Sequence, residues 1–252
     1  IDIYTTYGIA EPKRESKPPG PQMQSNLKGA FGWNQAIKPE TDAARLFNTD
    51  SKSAEELRGL GFGTVLTFQK DGIMRGSAAV VSLGDGKENE LLIKDKAAAM
   101  YSFDKGTSTQ DYPSSLMGAI ALLRQTYLDA DWYKNDKTKK EFNISLQTFN
   151  DLQTIPQIFE TTNKFNALRA DKIANEFKTK YIIKGSGTEY QRLDDIKASG
   201  CHFILPLNFP AAYDVEDAYD ALNITLTELK HWEMAPVNPF ALEKYLIPFA
   251  IT

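Results

Sequence analysis

Cysteine and histidine are scarce in this chain. Its 252 residues include one cysteine, Cys201, and two histidines, His202 and His231. A single cysteine excludes an intrachain disulfide and a cysteine-based zinc cluster. Cys201 precedes an apolar run, so we expect a buried and unreactive thiol there. Because a metal centre needs several converging ligands, we interpret His202 as a strand-end residue and His231 as a residue near the end of a helix.

The sequence also lacks an excess of basic charge and any long apolar run. It has 29 lysines and arginines against 33 aspartates and glutamates, which gives a net charge of -4. This balance argues against a protein that binds the phosphate backbone of a nucleic acid. The sequence contains no run of about 18 apolar residues, so it predicts no membrane span. Its N-terminus shows no signal-peptide pattern. The sequence does not assign a compartment.

Prolines and charged residues gather near the start, in "EPKRESKPPGPQ". They predict a loop insertion at about 10–42, directly after a first strand at Ile1–Tyr7. A long loop at this place is typical of the ligand-binding side of a barrel. Further on, Ser53 with an acidic residue three positions later predicts a helix N-cap, and Gly63–Phe68 predicts a strand.

The rest of the chain combines strands with helices. Two or three strands are predicted within Ala78–Phe103, around a glycine-rich turn, and a long amphipathic helix follows in "SSLMGAIALLRQTYLDADWY". Short apolar strands are then predicted at Pro156–Glu160, Tyr181–Lys184, His202–Leu205 and Phe249–Thr252. Helical patterns lie between them, at Phe165–Phe177, at Arg192–Ser199 and, as two helices, within Asp214–Tyr245.

This order of elements predicts an α/β fold with a mainly parallel sheet. About eight strands with helical returns, in a chain of about 250 residues, fit a (β/α)8 TIM-barrel-like domain. We expect one domain over 1–252, incomplete at the C-terminus because the last helix is missing. The chain starts without a methionine and ends in a strand-like run, so we expect a segment of a longer protein.

Seven stretches, in their order and spacing, carry a family resemblance. They are "IDIYTTYG", "RGLGFGTVLTF", "GIMRGSAAVVSL", "GAIALLRQTYLDADWY", "IPQIFETTNKFNALRADKIANEF", "GCHFILPL" and "IPFAIT". Together they resemble the amidohydrolase superfamily, in particular the imidazolonepropionase-like branch found in large, multi-module bacterial proteins. The resemblance implies a barrel that holds one or two metal ions, usually zinc, and a parent that hydrolyses carbon–nitrogen bonds other than peptide bonds.

The same resemblance implies that the metal site of this segment is degenerate. The two positions of the family's strand-one His-x-His pair hold Tyr4 and Thr6. The strand-five position holds Glu160, and the strand-six position falls at Glu189 or Tyr190. The strand-eight aspartate would follow the last residue of the sequence. Phenol and hydroxyl groups are poor zinc ligands beside imidazole, so we expect no metal or other cofactor in this segment.

Three functions remain open at this stage. The first is a degenerate module of a hydrolase, in which Tyr4, Thr6, Glu160 and Tyr190 surround a small polar ligand or a polar network. The second is an active enzyme that uses a chemistry other than metal-dependent hydrolysis, with Glu160, Glu189, Asp71 and Arg75 as its polar groups. The third is a scaffold or ligand-binding barrel that supports a sister domain of the parent. Arg75 in "KDGIMRG" either clamps an acidic ligand or pairs with Asp71 or a neighbouring acid.

Overall fold

The structure, a computed structural model, describes residues 1–17, 20–136, 138 and 141–252. Two prolines of the predicted loop, at positions 18 and 19, lie outside the described residues. The chain divides into two compact units, Ile1–Phe159 and Glu160–Thr252. We call them the first and the second unit. The single domain expected over 1–252 stays a prediction.

The first unit is a mixed sheet with helices. Its strands are β1 (Asp2–Thr5), β2 (Thr64–Thr67), β3 (Met74–Ser82), β4 (Leu92–Tyr101) and β5 (Gln157–Glu160), whose last residue belongs to the second unit. Its helices are α1 (Ala43–Leu46), α2 (Ser51–Gly59), α3 (Glu88–Leu91), α4 (Leu116–Asn135) and α5 (Ile144–Leu152). Residues from β2, β3 and the first loops, including Phe47, Val65 and Leu83, form a buried apolar cluster.

Strand pairing in the first unit departs from a strict (β/α) alternation. β1 pairs with β2, and β4 with β5, in parallel, but β3 is antiparallel to both of its neighbours. No described helix separates β2 from β3, because a short turn is enough to join antiparallel strands. The carboxyl ends of β1, β2, β4 and β5 therefore share one edge of the sheet.

The predicted loop insertion contains no helix or strand among its described residues. Its last part nevertheless runs along β3, with isolated parallel bridges that pair Ile37 with Met74 and Asp42 with Ser77. The Ser77 N–H donates to the carbonyl of Thr41 at 2.9 Å. Gly76 makes this approach possible, because a Cβ there would lie 1.9 Å from the Thr41 carbonyl oxygen.

The second unit alternates strands and helices as the sequence predicts. Its strands are β6 (Tyr181–Lys184), β7 (His202–Leu205) and β8 (Phe249–Ile251), paired in parallel in that order. Its helices are α6 (Lys164–Glu176), α7 (Leu193–Ser199), α8 (Ala218–Leu222), α9 (Leu226–Met234) and α10 (Asn238–Lys244), with 3₁₀ turns at Glu189–Arg192 and Ala235–Val237.

Several local predictions are confirmed and two are wrong. The predicted bounds of β6 and β7 agree with the structure, and Cys201 is buried. Helix α2 begins at Ser51 after the N-cap Asp50, and not at Ser53, because the Asp50 carboxylate accepts the first free N–H groups. The stretch 214–245 holds three α-helices rather than two. No helix among the described residues is both long and apolar enough to cross a membrane.

Candidate functional site

A buried carboxylate, Asp71, lies in the segment that follows β2. It is 3% exposed and accepts three hydrogen bonds. The Lys38 ammonium and the Thr107 hydroxyl donate to Oδ2, the latter at 2.8 Å, and the Thr107 N–H donates to Oδ1 at 2.7 Å. Lys38 comes from the loop insertion and Thr107 from the segment after β4. The carboxyl-end edge of the sheet thus brings together three distant parts of the chain.

The charge of Asp71 is well compensated. Burial by itself raises the pKa of this carboxyl group, but hydrogen bonds from Lys38 and Thr107 and the charge of Lys38 outweigh burial, so the pKa lies below its usual value. Asp71 is therefore ionised at neutral pH. The neighbouring Gly106 leaves room for it, since a Cβ at that position would lie 2.0 Å from the Asp71 Oδ1 atom.

A cavity of about 290 Å³ opens beside this ion pair. Asp71, Ser108, Lys38, Gln35 and Gln69 line it, and Lys13 and Glu15 lie among the exposed lining residues. We call it the Ser108 cavity. Ser108 is 3% exposed, and its Oγ has no hydrogen-bond partner among the described residues. Buried hydroxyl groups without a partner are uncommon in folded proteins.

Arg75 and Tyr4 form a second polar contact in the first unit. Arg75 is 2% exposed, and its guanidinium donates to the Gly72 carbonyl at 3.1 Å and to the Tyr4 hydroxyl at 3.2 Å. The Tyr4 ring packs against Phe68 with 4.8 Å between ring centroids. Asp71 pairs with Lys38 of the loop insertion rather than with Arg75, and the alternative pairing of Arg75 with a neighbouring acid stays a prediction.

Thr6, at the second position of the strand-one pair, differs from Tyr4 in its surroundings. Thr6 lies one residue beyond β1 and is exposed. Its carbonyl accepts a hydrogen bond from the Ile9 N–H at 3.1 Å, within the turn that contains Gly8. The side chain of Thr6 is therefore accessible to solvent at the end of the strand.

Glu189 is the most deeply buried of the predicted site residues in the second unit. It is 0% exposed, and its carboxylate accepts from the N–H and hydroxyl of Ser186, from the N–H of Gly187 and from the Asn238 amide. The distances are 2.7, 3.3, 3.0 and 2.9 Å. This carboxylate joins the segment after β6 to the start of α10, which is a structural role.

Tyr190, next in the chain, contacts His231 of α9. The Tyr190 hydroxyl lies 3.1 Å from His231 Nδ1, and the two rings stack with 6.1 Å between centroids. The Tyr190 N–H donates to Asn238 at 2.8 Å. Glu160 is half-buried at the end of β5. The expected convergence of Tyr4, Thr6, Glu160 and Tyr190 involves residues of both units and stays a prediction.

The chemistry of these side chains does not suit zinc. The two strand-one positions provide a phenol and an alcohol, where zinc sites use imidazole, thiolate or carboxylate groups. Among the described residues, no three histidine, cysteine, aspartate or glutamate side chains form a group that could hold a metal ion. The Tyr4 hydroxyl is moreover bound to a guanidinium, whose positive charge repels a dication.

Asp71 and Arg75 are predicted from the sequence as candidate site residues, whereas Lys38, Thr107 and Ser108 are not. A signal for two of them exists in "GTSTQ" at 106–110, a run of hydroxyl residues after a predicted strand. Carboxyl ends of barrel strands are where ligand contacts gather. Lys38 carries no comparable signal, because its contact with Asp71 depends on the path of a long loop.

Comparison with known proteins gives one structural likeness. The crystal structure of an amidohydrolase from Thermotoga maritima MSB8 matches with a TM-score of 0.65 and 16% sequence identity, over 100% of this chain and 64% of that chain. The chain thus spans less than two thirds of the length of that protein. No protein-family model matches the sequence. No curated protein matches it significantly. The likeness shows an amidohydrolase-like fold, and the (β/α)8 TIM-barrel-like domain, incomplete at the C-terminus, and the imidazolonepropionase-like branch stay predictions.

Proposed function

We propose that this chain is a barrel segment of an amidohydrolase-like protein and that its own metal centre is degenerate. The parent protein is proposed to hydrolyse carbon–nitrogen bonds other than peptide bonds, with that chemistry outside this segment. The observation that carries the proposal is the hydrogen bond from Arg75 to Tyr4. It places a fixed positive charge beside a residue at a former ligand position.

The expected role of such a segment is that of a scaffold or ligand-binding module for a sister domain. The Glu189 carboxylate supports this role, because donors of its own unit occupy both of its oxygens. A buried carboxylate saturated in this way stabilises the fold, and it has little capacity left for binding a metal or activating water. The carboxylate of Asp71 is occupied in the same manner by Lys38 and Thr107.

The proposal is tested by measuring zinc and hydrolysis on the purified chain. After incubation with zinc and dialysis, elemental analysis is expected to find far less than one zinc per chain. Hydrolysis of simple amides and ureas is expected to be the same with and without zinc. One zinc per chain, lost in Tyr4→Phe but kept in Tyr219→Phe, would overturn the proposal; Tyr219 is 79% exposed and serves as the control.

Glu160→Gln provides a second test. With no catalytic role for Glu160, the variant is expected to fold, to lose about 1 kcal/mol of stability, as is usual for one altered hydrogen-bonding group, and to show unchanged activity. If the substitution instead abolished a measurable turnover, Glu160 would be a catalytic acid or base and the segment would be an enzyme.

A further inference from the structure

We propose that helices α8 and α9 of the second unit form a docking surface for a positively charged amphipathic helix of a partner protein. The proposal goes beyond the proposed function, because it concerns neither a metal site nor hydrolysis. It rests on the exposure of apolar side chains in both helices and on the acidic residues that surround them. We call this region, residues 214–234, the acidic helix surface.

Both helices expose their apolar side chains to solvent. Every residue of α8 is exposed, and in α9 every residue except the half-buried His231 is exposed. Helices of globular proteins normally bury an apolar face. Five large apolar residues are instead each at least 42% exposed, namely Tyr219, Leu222, Leu226, Leu229 and Trp232. Exposed apolar side chains that lie close together in this way are typical of an interaction site.

The apolar residues of α9 lie on the side of the helix that is turned away from the rest of the unit. His231 marks the inner side, because its Nδ1 atom lies 3.1 Å from the Tyr190 hydroxyl. At about 100° per residue, Leu229 lies about 200° around the helix from His231, and Leu226 about 140°. With Trp232, these residues follow one another at three-residue spacing and form an apolar stripe. The stripe therefore faces solvent because of the way the helix is attached.

Negative charge is concentrated in the same region. Residues 214–234 contain one lysine, Lys230, and six acidic residues, which are Asp214, Glu216, Asp217, Asp220, Glu228 and Glu233. Of the 29 basic and 33 acidic residues of the whole chain, 28 and 27 lie elsewhere. The rest of the chain is thus nearly balanced, and the acidic helix surface accounts for the negative net charge of the protein.

This charge decides between the possible occupants of the surface. A nucleic acid or an anionic lipid surface is itself negatively charged and would be repelled. A second copy of the chain would bring its own six acidic residues against the first six, which is unfavourable. A partner with lysine or arginine beside its apolar residues matches both the charge and the stripe. Because the surface consists of helix faces and not of a strand edge, a helix that packs through its side chains is the matching element.

A synthetic amphipathic helix with leucine on one face and lysine on the other is a suitable probe. We expect fluorescence anisotropy of the labelled peptide to show saturable binding to the purified chain, with a Kd of about 10 µM that rises with salt concentration. Two further peptides serve as controls, one with glutamate in place of lysine and one with the same composition in an order that forms no apolar face. Both should bind at least about tenfold more weakly. Equal binding of the glutamate peptide, or no binding of the lysine peptide at about 100 µM, would show that the proposal is wrong.

Two pairs of variants locate the binding site. Leu229→Gln removes an apolar side chain from the centre of the stripe and keeps a good helix former. It should weaken binding of the lysine peptide about tenfold or more and change the melting temperature by less than about 2 °C. Leu128→Gln is the matched control, because Leu128 is 57% exposed in α4, and it should leave binding unchanged. Glu233→Gln should weaken binding about threefold and reduce its salt dependence, whereas Glu55→Gln, at an exposed position of α2, should not.

Two other results would overturn the proposal. Unchanged binding of the lysine peptide by Leu229→Gln would place the peptide elsewhere on the chain. A stable dimer in analytical ultracentrifugation, lost in Leu229→Gln but kept in Leu128→Gln, would show that a second copy of the chain occupies the surface. None of these measurements depends on zinc content or hydrolysis, so this proposal and the proposed function fail independently.

Discussion

Replacing Asp71 by alanine tests the ion pair that joins the loop insertion to the sheet. The substitution leaves the Lys38 ammonium and the Thr107 N–H without their shared acceptor. The side chains of Asp71 and Lys38 are only 2% and 21% exposed, so water replaces the lost contacts poorly. Breaking a buried pair of this kind costs about 3–5 kcal/mol. For a chain of this size, the melting temperature should fall by about 10 °C.

The loss of stability in Asp71→Ala should depend on pH. Folding lowers the pKa of Asp71, so its stabilisation is fully present above the unfolded value of about 3.9. The stabilisation is lost as the pH falls through the still lower pKa of the folded state. The difference in unfolding free energy between the parent chain and Asp71→Ala is therefore expected to be largest near neutral pH and to shrink below pH 4, about the unfolded pKa.

Urea unfolding followed by circular dichroism measures this free energy. Lys38→Met and the double variant complete a mutant cycle, in which the coupling between the two residues should be about 1–3 kcal/mol. A change in melting temperature below about 3 °C, or a difference that does not vary with pH, would refute the conclusion that this pair anchors the loop.

Three further predictions concern single residues. Gly106→Ala places a Cβ 2.0 Å from the Asp71 carboxylate, at a φ of +63°. In urea unfolding it should lower the free energy of unfolding by about 2–4 kcal/mol. Gly61→Ala is the control, with a φ of +94° and nothing within 4 Å of the added Cβ, and it should lower the free energy by only about 1 kcal/mol. Burial raises the pKa of Cys201 to about 11, so iodoacetamide at pH 8 should label the folded chain slowly and the urea-unfolded chain quickly; fast labelling of the folded chain would contradict this. Glu189→Ala should lower the free energy of unfolding by about 3–5 kcal/mol, because it leaves buried donors without an acceptor. A loss below about 1 kcal/mol would show that the carboxylate is dispensable.

The elements that the sequence predicts best are those with local signals. The bounds of β6 and β7 follow from short apolar, β-branched runs between helices. The sequence does not predict helix α5, because a nine-residue helix gives a weak periodic signal, although the Asn143 side chain caps it by accepting from the Leu146 N–H. The sequence does not predict the antiparallel direction of β3 either, since strand direction depends on connections rather than on composition.

The residues of the candidate site also divide into those with a local sequence signal and those without one. Asp71 and Arg75 are recognisable in sequence because a charged residue beside a turn is conspicuous. Their partners are not, since Lys38 precedes Asp71 by 33 positions and Tyr4 precedes Arg75 by 71. Contacts over such separations depend on the whole sheet. An unpartnered hydroxyl such as that of Ser108 is visible only after every neighbouring donor and acceptor has been placed.

The run of the loop insertion along β3 has a consequence for aggregation. β2 pairs with β3 only from Ala79 onward. The backbone of the loop covers the earlier part of β3 through bonds such as those from the Lys38 N–H to the Met74 carbonyl and from the Ser77 N–H to the Thr41 carbonyl. Uncovered strand edges are templates for pairing between molecules. Insertion of a tag at about 24–30, where the chain is mostly exposed, should be tolerated. A protease cut or an insertion at 37–41 would instead free a strand edge and is expected to promote self-association.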